Sequence, residues 1–322
     1  MNSAVTALVG DLGGTNARFG IVNTASNDHT VAQLRVLRCS DYANVEAAID
    51  DYFSQIEVSR PELAVLAAAG PVTNGVVRFT NNHWHCSLAA LQAQGFRRAR
   101  LLNDFEALAY AAAQLSGSDL QSLGGPAAGM PGNIAVLGPG TGFGLSMLAR
   151  DGNTAVAIAT EGGNAAFAPN DALEVDVLRV LAARLGRVVI ESILSGHGLF
   201  NLYDALCTVH GQPATATNAP EVTALAQRDD AMAALATQRF CAILGSVAGD
   251  VALSTGSRGG IYITGGMTDV LAEELLHGQF RTRFDAKGRY GEYVSAIPTA
   301  HIRRPQPALL GAAVVAHALA RL

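Results

Sequence analysis

The chain has 322 residues, with 22 Lys and Arg against 27 Asp and Glu and a formal net charge of -5. That length exceeds the usual range of one hydrophobic core, so two domains with a cleft are expected. No basic block is present to grip nucleic acid, and Arg97, Arg98 and Arg100 read as a solvated face. No uninterrupted apolar run approaches the roughly 20 residues that cross a bilayer, and the N-terminus has no basic leader region. The four cysteines, Cys39, Cys86, Cys207 and Cys241, form no C-x-x-C pair. A cytoplasmic protein with reduced thiols and neither nucleic-acid nor membrane partners is the expectation.

In chain order, strands are predicted from Val5 to Val9, Ala17 to Val22, Val31 to Arg38, Leu63 to Ala69 and Gly75 to Thr80, with a helix from Val45 to Ile56. Between the first two strands lies Asp11-Leu12-Gly13-Gly14-Thr15-Asn16. Its glycines permit a sharp turn with exposed N–H groups, its Thr and Asn add donors, and Asp11 offers a metal an oxygen, which together suit phosphate. His83 and His85 flank Trp84 without a third ligand nearby and read as structural. A short strand from Leu101 delivers Asn103 and Asp104 to a sheet end, and an alanine-rich helix runs from Phe105 to Leu115.

A second strand, glycine turn and strand follows from Ile134 to Leu145 through Gly138-Pro139-Gly140-Thr141-Gly142, and then a strand from Ala155 to Thr160. Helices are predicted from Leu173 to Leu185, Val188 to Leu194, Leu199 to His210, Glu221 to Arg228 and Ala231 to Ser254, with a surface loop from Gly211 to Pro220. A strand from Gly260 to Thr264 enters Gly265-Gly266-Met267 and a helix from Val270 to Leu276, and the chain closes on a helix from Ala308 to Leu322. Glycine turns at strand ends spread along the chain point to an internal duplication in which each half clamps phosphates. The familiar nucleotide loops do not fit: the only lysine is Lys287, which excludes a Walker loop, and the dinucleotide glycine spacing fails at Phe143 or Leu145.

The order and spacing of these segments resemble the bacterial glucokinases of the hexokinase, actin and Hsp70 ATPase superfamily nearly end to end. Leu8 to Arg18 is similar to the first phosphate motif of that family, Gly138 to Gly144 to the second, Ile263 to Met267 to the adenosine motif and Pro307 to Ala313 to the closing helix. Leu102 to Ala107 resembles the segment carrying the catalytic aspartate. The absence of any cysteine between Cys86 and Cys207 separates the chain from the cysteine-rich ROK sugar kinases. The resemblance implies a two-domain α/β fold of the actin-like ATPase (ribonuclease H-like) type with its active site in the interdomain cleft. Residues 1–104 with 305–322 would form the small, discontinuous domain and 105–304 the large one.

Chemistry then assigns roles. A sugar hydroxyl is a poor nucleophile, so a carboxylate must accept its proton during phosphoryl transfer. Asp104 is that candidate; as an N-cap it calls for Glu or Gln three residues on, where Ala107 stands, so a capping box counted from it is incomplete. The resemblance implies that Asn103, Asp104, Glu161 and Glu191 hold glucose. Glu191 is charged amid apolar residues and needs polar partners. The family has Glu-Gly-Gly-His where this chain has Glu161-Gly162-Gly163-Asn164, a shorter, uncharged carboxamide that puts sugar selectivity in doubt.

Mg-ATP is expected against Gly10, Asp11, Gly13, Gly14, Thr15 and Asn16 and against Gly138, Gly140, Thr141 and Gly142. Adenosine is expected near Gly265 and Gly266, and Mg2+ on Asp11 through water. The implied activity is phosphorylation of glucose at the 6-hydroxyl by a homodimer. Phosphorylation of another hexose or amino-hexose, or a weakly active paralogue, is the alternative because of Asn164. A sugar-sensing regulator would need a helix-turn-helix before the first strand, and an actin-like structural ATPase would have no use for the sugar segments.

Overall fold

The computed structural model describes residues 6–26, 28–79, 82–152 and 154–322. The chain divides into two compact units, Met1–Leu115 with Arg304–Leu322, and Ser116–Arg303.

The first unit contains β1 (Thr6–Leu12), β2 (Asn16–Asn23), β3 (Val31–Arg38), α1 (Val45–Ser54), β4 (Leu63–Ala68), β5 (Val72–Thr73), β6 (Val76–Arg78), β7 (His85–Ser87), α2 (Leu88–Ala93), β8 (Arg98–Asn103) and α3 (Asp104–Ala112). Its main sheet has the order β3-β2-β1-β4-β8, antiparallel from β3 to β1 and parallel from β1 to β8, while β5, β6 and β7 form a small separate sheet. All six residues of β4 are buried, as expected of a central parallel strand covered on both faces. The C-terminal helix, Pro307–Ala320, packs on α3, β4 and β1. It crosses α3 so closely that a Cβ on Gly311 would collide with the carbonyl oxygen of Ala107, which explains the small residues along it.

The second unit contains β9 (Leu120–Gly124), β10 (Ile134–Pro139), β11 (Phe143–Asp151), β12 (Thr154–Thr160), α4 (Ala172–Leu185), α5 (Gly196–Val209), α6 (Ala219–Ala226), α7 (Ala231–Thr255), β13 (Gly260–Ile263), α8 (Gly266–Val270), α9 (Ala272–His277), α10 (Phe280–Asp285), α11 (Gly291–Ser295) and β14 (Thr299–Ile302). The sheet order is β12-β11-β10-β13-β14-β9. Its first five strands repeat the plan of the first sheet, a three-stranded antiparallel meander followed by two parallel strands. The duplication suggested by the glycine turns is therefore present in the topology. What distinguishes the second unit is the helical insertion α4 to α7 between β12 and β13. Helix α7 is long and apolar enough to cross a membrane, but 67% of its apolar window is buried inside the protein, as in a core helix.

Several expectations change. The first strand runs on to Leu12, while Val5 lies outside the described residues, as does Thr80 at the end of the fifth expected strand. The expected helix from Val188 to Leu194 is only a single 3-10 turn, Ile190–Ser192: Val189 bridges Ala166 and the Val188 carbonyl accepts from Phe167 N, so its backbone is committed to a neighbouring segment. The helix expected from Val270 to Leu276 begins earlier, at Gly266, and is split into α8 and α9. Strands β9 and β14 were not foreseen. Contacts divide the chain at 115/116 and 303/304, not at 104/105 and 304/305, because α3 packs on the C-terminal helix and stays with the first unit. Arg100 is not simply solvated, since it pairs with Glu106 at 2.8 Å.

Candidate active site

In the first unit the β1 to β2 turn is closed by Gly13 N donating to Asn16 O at 3.0 Å. Its outer side is braced by Cys39 N on Thr15 O at 2.9 Å and by Asn82 Nδ2 on Gly13 O at 3.4 Å. Thr15 is exposed, whereas Gly10 is buried within β1, where Leu66 and Phe19 leave no room for a Cβ. Asp11 faces Arg18 across the ladder, with Oδ2 to Nη1 at 3.1 Å. Burial pushes the Asp11 carboxyl up from the ordinary carboxylate value, and the Arg18 guanidinium opposes that rise. The arginine partner went unnoticed in the sequence, although its position seven residues on, across a tight hairpin, is the signal that could have found it.

Asn103 and Asp104 lie where β8 ends and α3 begins. Asn103 is the N-cap: its Oδ1 accepts from Phe105 N at 2.9 Å and from Glu106 N at 3.3 Å, and Glu106 reaches back to Asn103 N, completing a capping box. The sequence reading counted that box from Asp104 and so missed it by one residue. Asn103 Nδ2 also donates to Gly70 O at 3.1 Å, tying the strand end to the loop after β4. Among the described residues Nδ2 of Asn103 makes no second hydrogen bond, so one of its hydrogens is left to offer a ligand. Asp104 is the first residue of α3, with Oδ1 accepting from Phe105 N at 2.9 Å.

In the second unit three separated segments converge on the β10 to β11 turn. Gly140 N donates to Gly142 O at 2.8 Å and closes it, and Gly196 N, at the start of α5, donates to Gly140 O at 2.8 Å. Glu191 Oε2 accepts from Phe143 N at 2.7 Å, and a Cβ on Gly142 would run into that carboxylate. Gly163 lies so close that its Cβ would strike the Phe143 carbonyl oxygen, which places the Glu161–Asn164 segment against the same residue. Gly265, at φ +105°, packs against the Pro139 carbonyl, bringing the Gly265-Gly266 turn to the same strand end. Gly138 itself lies within the ladder opposite Gly144. Glu161 and Asn164 are exposed; Asn164 uses its backbone, N to Glu161 O and O from Arg187 Nη2. The polar partner that Glu191 needs is in part the Phe143 amide, 48 residues away, which no local pattern announces.

A Cβ on Gly140 or Gly266 would meet nothing within 4 Å, so these turns present open backbone of the kind that accepts phosphate or a nucleoside. Among the described residues no group of three His, Cys, Asp or Glu side chains could hold a metal ion.

Two sheets of one plan, each with a glycine turn at the end of its central hairpin, define an actin-like ATPase fold of the sugar-kinase class. The sequence profile of the glucokinase family matches residues 8–319. A glucokinase of Caulobacter sp. (strain K31) is 44% identical over 315 residues, covering 98% of this chain and 96% of the relative. One of Hahella chejuensis is 40% identical over 315 residues, covering 97% of each. The crystal structure of a glucokinase from an Antarctic psychrotroph superposes with a TM-score of 0.91 at 33% identity, over 98% of this chain and 100% of that one. The chain belongs to the glucokinase family.

Proposed function

We propose that this enzyme transfers the γ-phosphoryl group of ATP to the 6-hydroxyl of glucose, giving glucose 6-phosphate and ADP at the entry to glycolysis. The observation that carries the reading is the convergence of Glu191, the Glu161–Asn164 segment and the Gly265 turn on one glycine hairpin, in a chain of this family. A glucokinase of Balamuthia mandrillaris sharing this fold, with a TM-score of 0.76 at 20% identity, was solved in complex with glucose.

In this reading Asn103, Asp104, Glu161, Glu191 and Asn164 hold the sugar. The 6-hydroxyl oxygen forms its bond to the γ-phosphorus as the bond to the ADP oxygen breaks, and the hydroxyl proton passes to the Asp104 carboxylate. The Gly13–Asn16 and Gly140–Gly142 turns offer backbone N–H groups to the phosphates, and the Gly265-Gly266 turn, open at Gly266, leaves room for adenosine. Mg2+ bound with ATP would neutralise developing phosphate charge, Asp11 holding it through water.

A cytoplasmic homodimer is the finer part of the reading. Edge strand β12 (TAVAIAT) carries no charge and leaves Val156 and Ile158 about half exposed, whereas the other meander edge, β3, carries Arg35 and Arg38. An unguarded edge is a pairing surface, and a second copy would cover it. Sedimentation velocity on Val156→Lys tests this: a dimer as tight as the wild type rules that edge out. For the reaction itself, a panel of hexoses and amino-hexoses assayed with ATP by ADP release should give the highest kcat/KM with glucose. A higher value for another sugar would overturn the substrate assignment.

A further inference from the structure

Glu191 makes two kinds of contact available at once. Its Oε2 holds the Phe143 amide of the phosphate hairpin at 2.7 Å, while among the described residues no hydrogen bond is made to its Oε1. The segment carrying it is firmly seated: Ser195 Oγ donates to Glu191 O at 2.9 Å, Gly198 N donates to Ser195 Oγ at 2.9 Å, and Gly196 N holds the other side of the hairpin at Gly140 O. On the other flank Ile190 N donates to Ala165 O at 2.9 Å, so the backbone is fixed on both sides, and the freedom that remains is rotation of the half-buried carboxylate, a broad two-fold torsion. A hydroxyl donating to Oε1 fixes the carboxylate plane and aims Oε2 at the Phe143 N–H, which orients the turn Gly140–Gly142.

Resting on the reading that Glu191 binds the sugar, we infer that Glu191 is a positioning residue for the phosphate hairpin, and that through it glucose and nucleotide bind with positive coupling. Sugar on Oε1 orders the hairpin for phosphate, and phosphate on the hairpin orders Oε1 for sugar, since equilibrium coupling is reciprocal. Gly142 fits this role, because any side chain there would take the place of the carboxylate.

Calorimetry with a nonhydrolysable ATP analogue and Mg2+, titrated with and without saturating glucose, tests the inference. In the wild type glucose should tighten analogue binding by roughly 5- to 150-fold, the usual span of allosteric coupling. Glu191→Ala should weaken binding of the analogue in the absence of sugar by about tenfold, the loss of one hydrogen bond to a charged group, and bring the coupling close to unity. Glu191→Gln, whose carboxamide oxygen still accepts from Phe143 N, should restore the sugar-free analogue affinity to within about threefold of wild type while glucose stays weakened. If Glu191→Ala does not fold, Glu191→Asp replaces it, being one methylene too short to reach the amide. Wild-type coupling near unity, or an unchanged sugar-free affinity in the Ala or Asp variant, overturns the inference. Weakened glucose binding in that same variant would still leave the sugar contact standing, whereas unchanged glucose affinity removes the sugar contact and the coupling with it.

Discussion

The two glycine hairpins share a backbone plan but acquire charge differently. In the first, the ladder position one step back from the last pair before the turn holds Asp11 opposite Arg18, an ion pair within the hairpin. In the second, the matching position holds Gly138 opposite Gly144, and the carboxylate arrives from Glu191 in the helical insertion. The first turn is propped by Cys39 and Asn82 of its own unit's loops; the second is held by Glu191 and Gly196 of one strap. A duplicated scaffold has therefore kept a short glycine hairpin at the same place, of four residues in the first unit and three in the second, while the source of charge moved to whatever the intervening segment supplies. The insertion α4 to α7 has no counterpart between β3 and β4, where α1 is the one α-helix, so an inserted carboxylate, Glu191, reaches the second hairpin alone.

If the first unit supplies the base, Asp104→Ala should lower kcat by ~10² to 10⁴-fold with glucose as substrate; a residual rate above about a tenth of wild type sinks the assignment.

Next come the turns. Gly142→Ala should displace Glu191 from Phe143 N and reduce kcat/KM for ATP by about 10- to 100-fold, on the scale of a lost charge-assisted hydrogen bond. Gly13→Ala, whose Cβ meets only the Asn16 carbonyl at 3.2 Å, should be milder. Equal losses in the two variants would show that the hairpins do not differ in the way described.

Asn164→His installs, at an exposed position, the histidine that the family resemblance implies and should tighten glucose binding by roughly 2- to 10-fold, the worth of one ordinary hydrogen bond. Titration calorimetry with glucose and mannose reads the effect, and no change in either affinity or epimer discrimination would remove Asn164 from the sugar contacts.

The smallest effect concerns the first unit's stability. His29 and His317 meet edge to face with centroids 4.5 Å apart, and among the described residues neither ring nitrogen of the buried His317 makes a hydrogen bond. Burial holds both imidazoles below the ordinary histidine value. The unfolded chain takes up protons near pH 6.5 that the folded one refuses, so stability is full above about pH 6.5 and declines as the pH falls below it. His317→Leu should flatten that acid decline in thermal melts between pH 5 and 8 scanned at about one-unit steps. A slope matching wild type would place the acid sensitivity elsewhere.

Much of the scaffold was readable in the residues. Gly13-Gly14-Thr15-Asn16 after an apolar run marks a turn because glycine and Asn are residues that turns favour, and the same logic found Gly140-Thr141-Gly142. The misreadings occurred where local pattern and long-range pairing disagree. Val188 to Leu194 has helical apolar spacing, yet Val189 pairs with Ala166 and leaves one turn. Asn103 caps α3 one residue earlier than the chemistry of Asp104 suggested, because the strand end fixes where the helix begins. Short strands β9 and β14 carry too few residues for a period to register.

By itself the sequence determined the repeated plan, the position of each glycine turn and the residues with chemistry to offer. These depend on propensity and steric freedom, which act over a few neighbouring residues. Tertiary structure alone decided that α3 sides with the C-terminal helix and that Glu191 meets the Phe143 amide 48 residues away. Such pairings exist only after the intervening chain has closed and packed, and closure brings together partners whose separation no local pattern encodes.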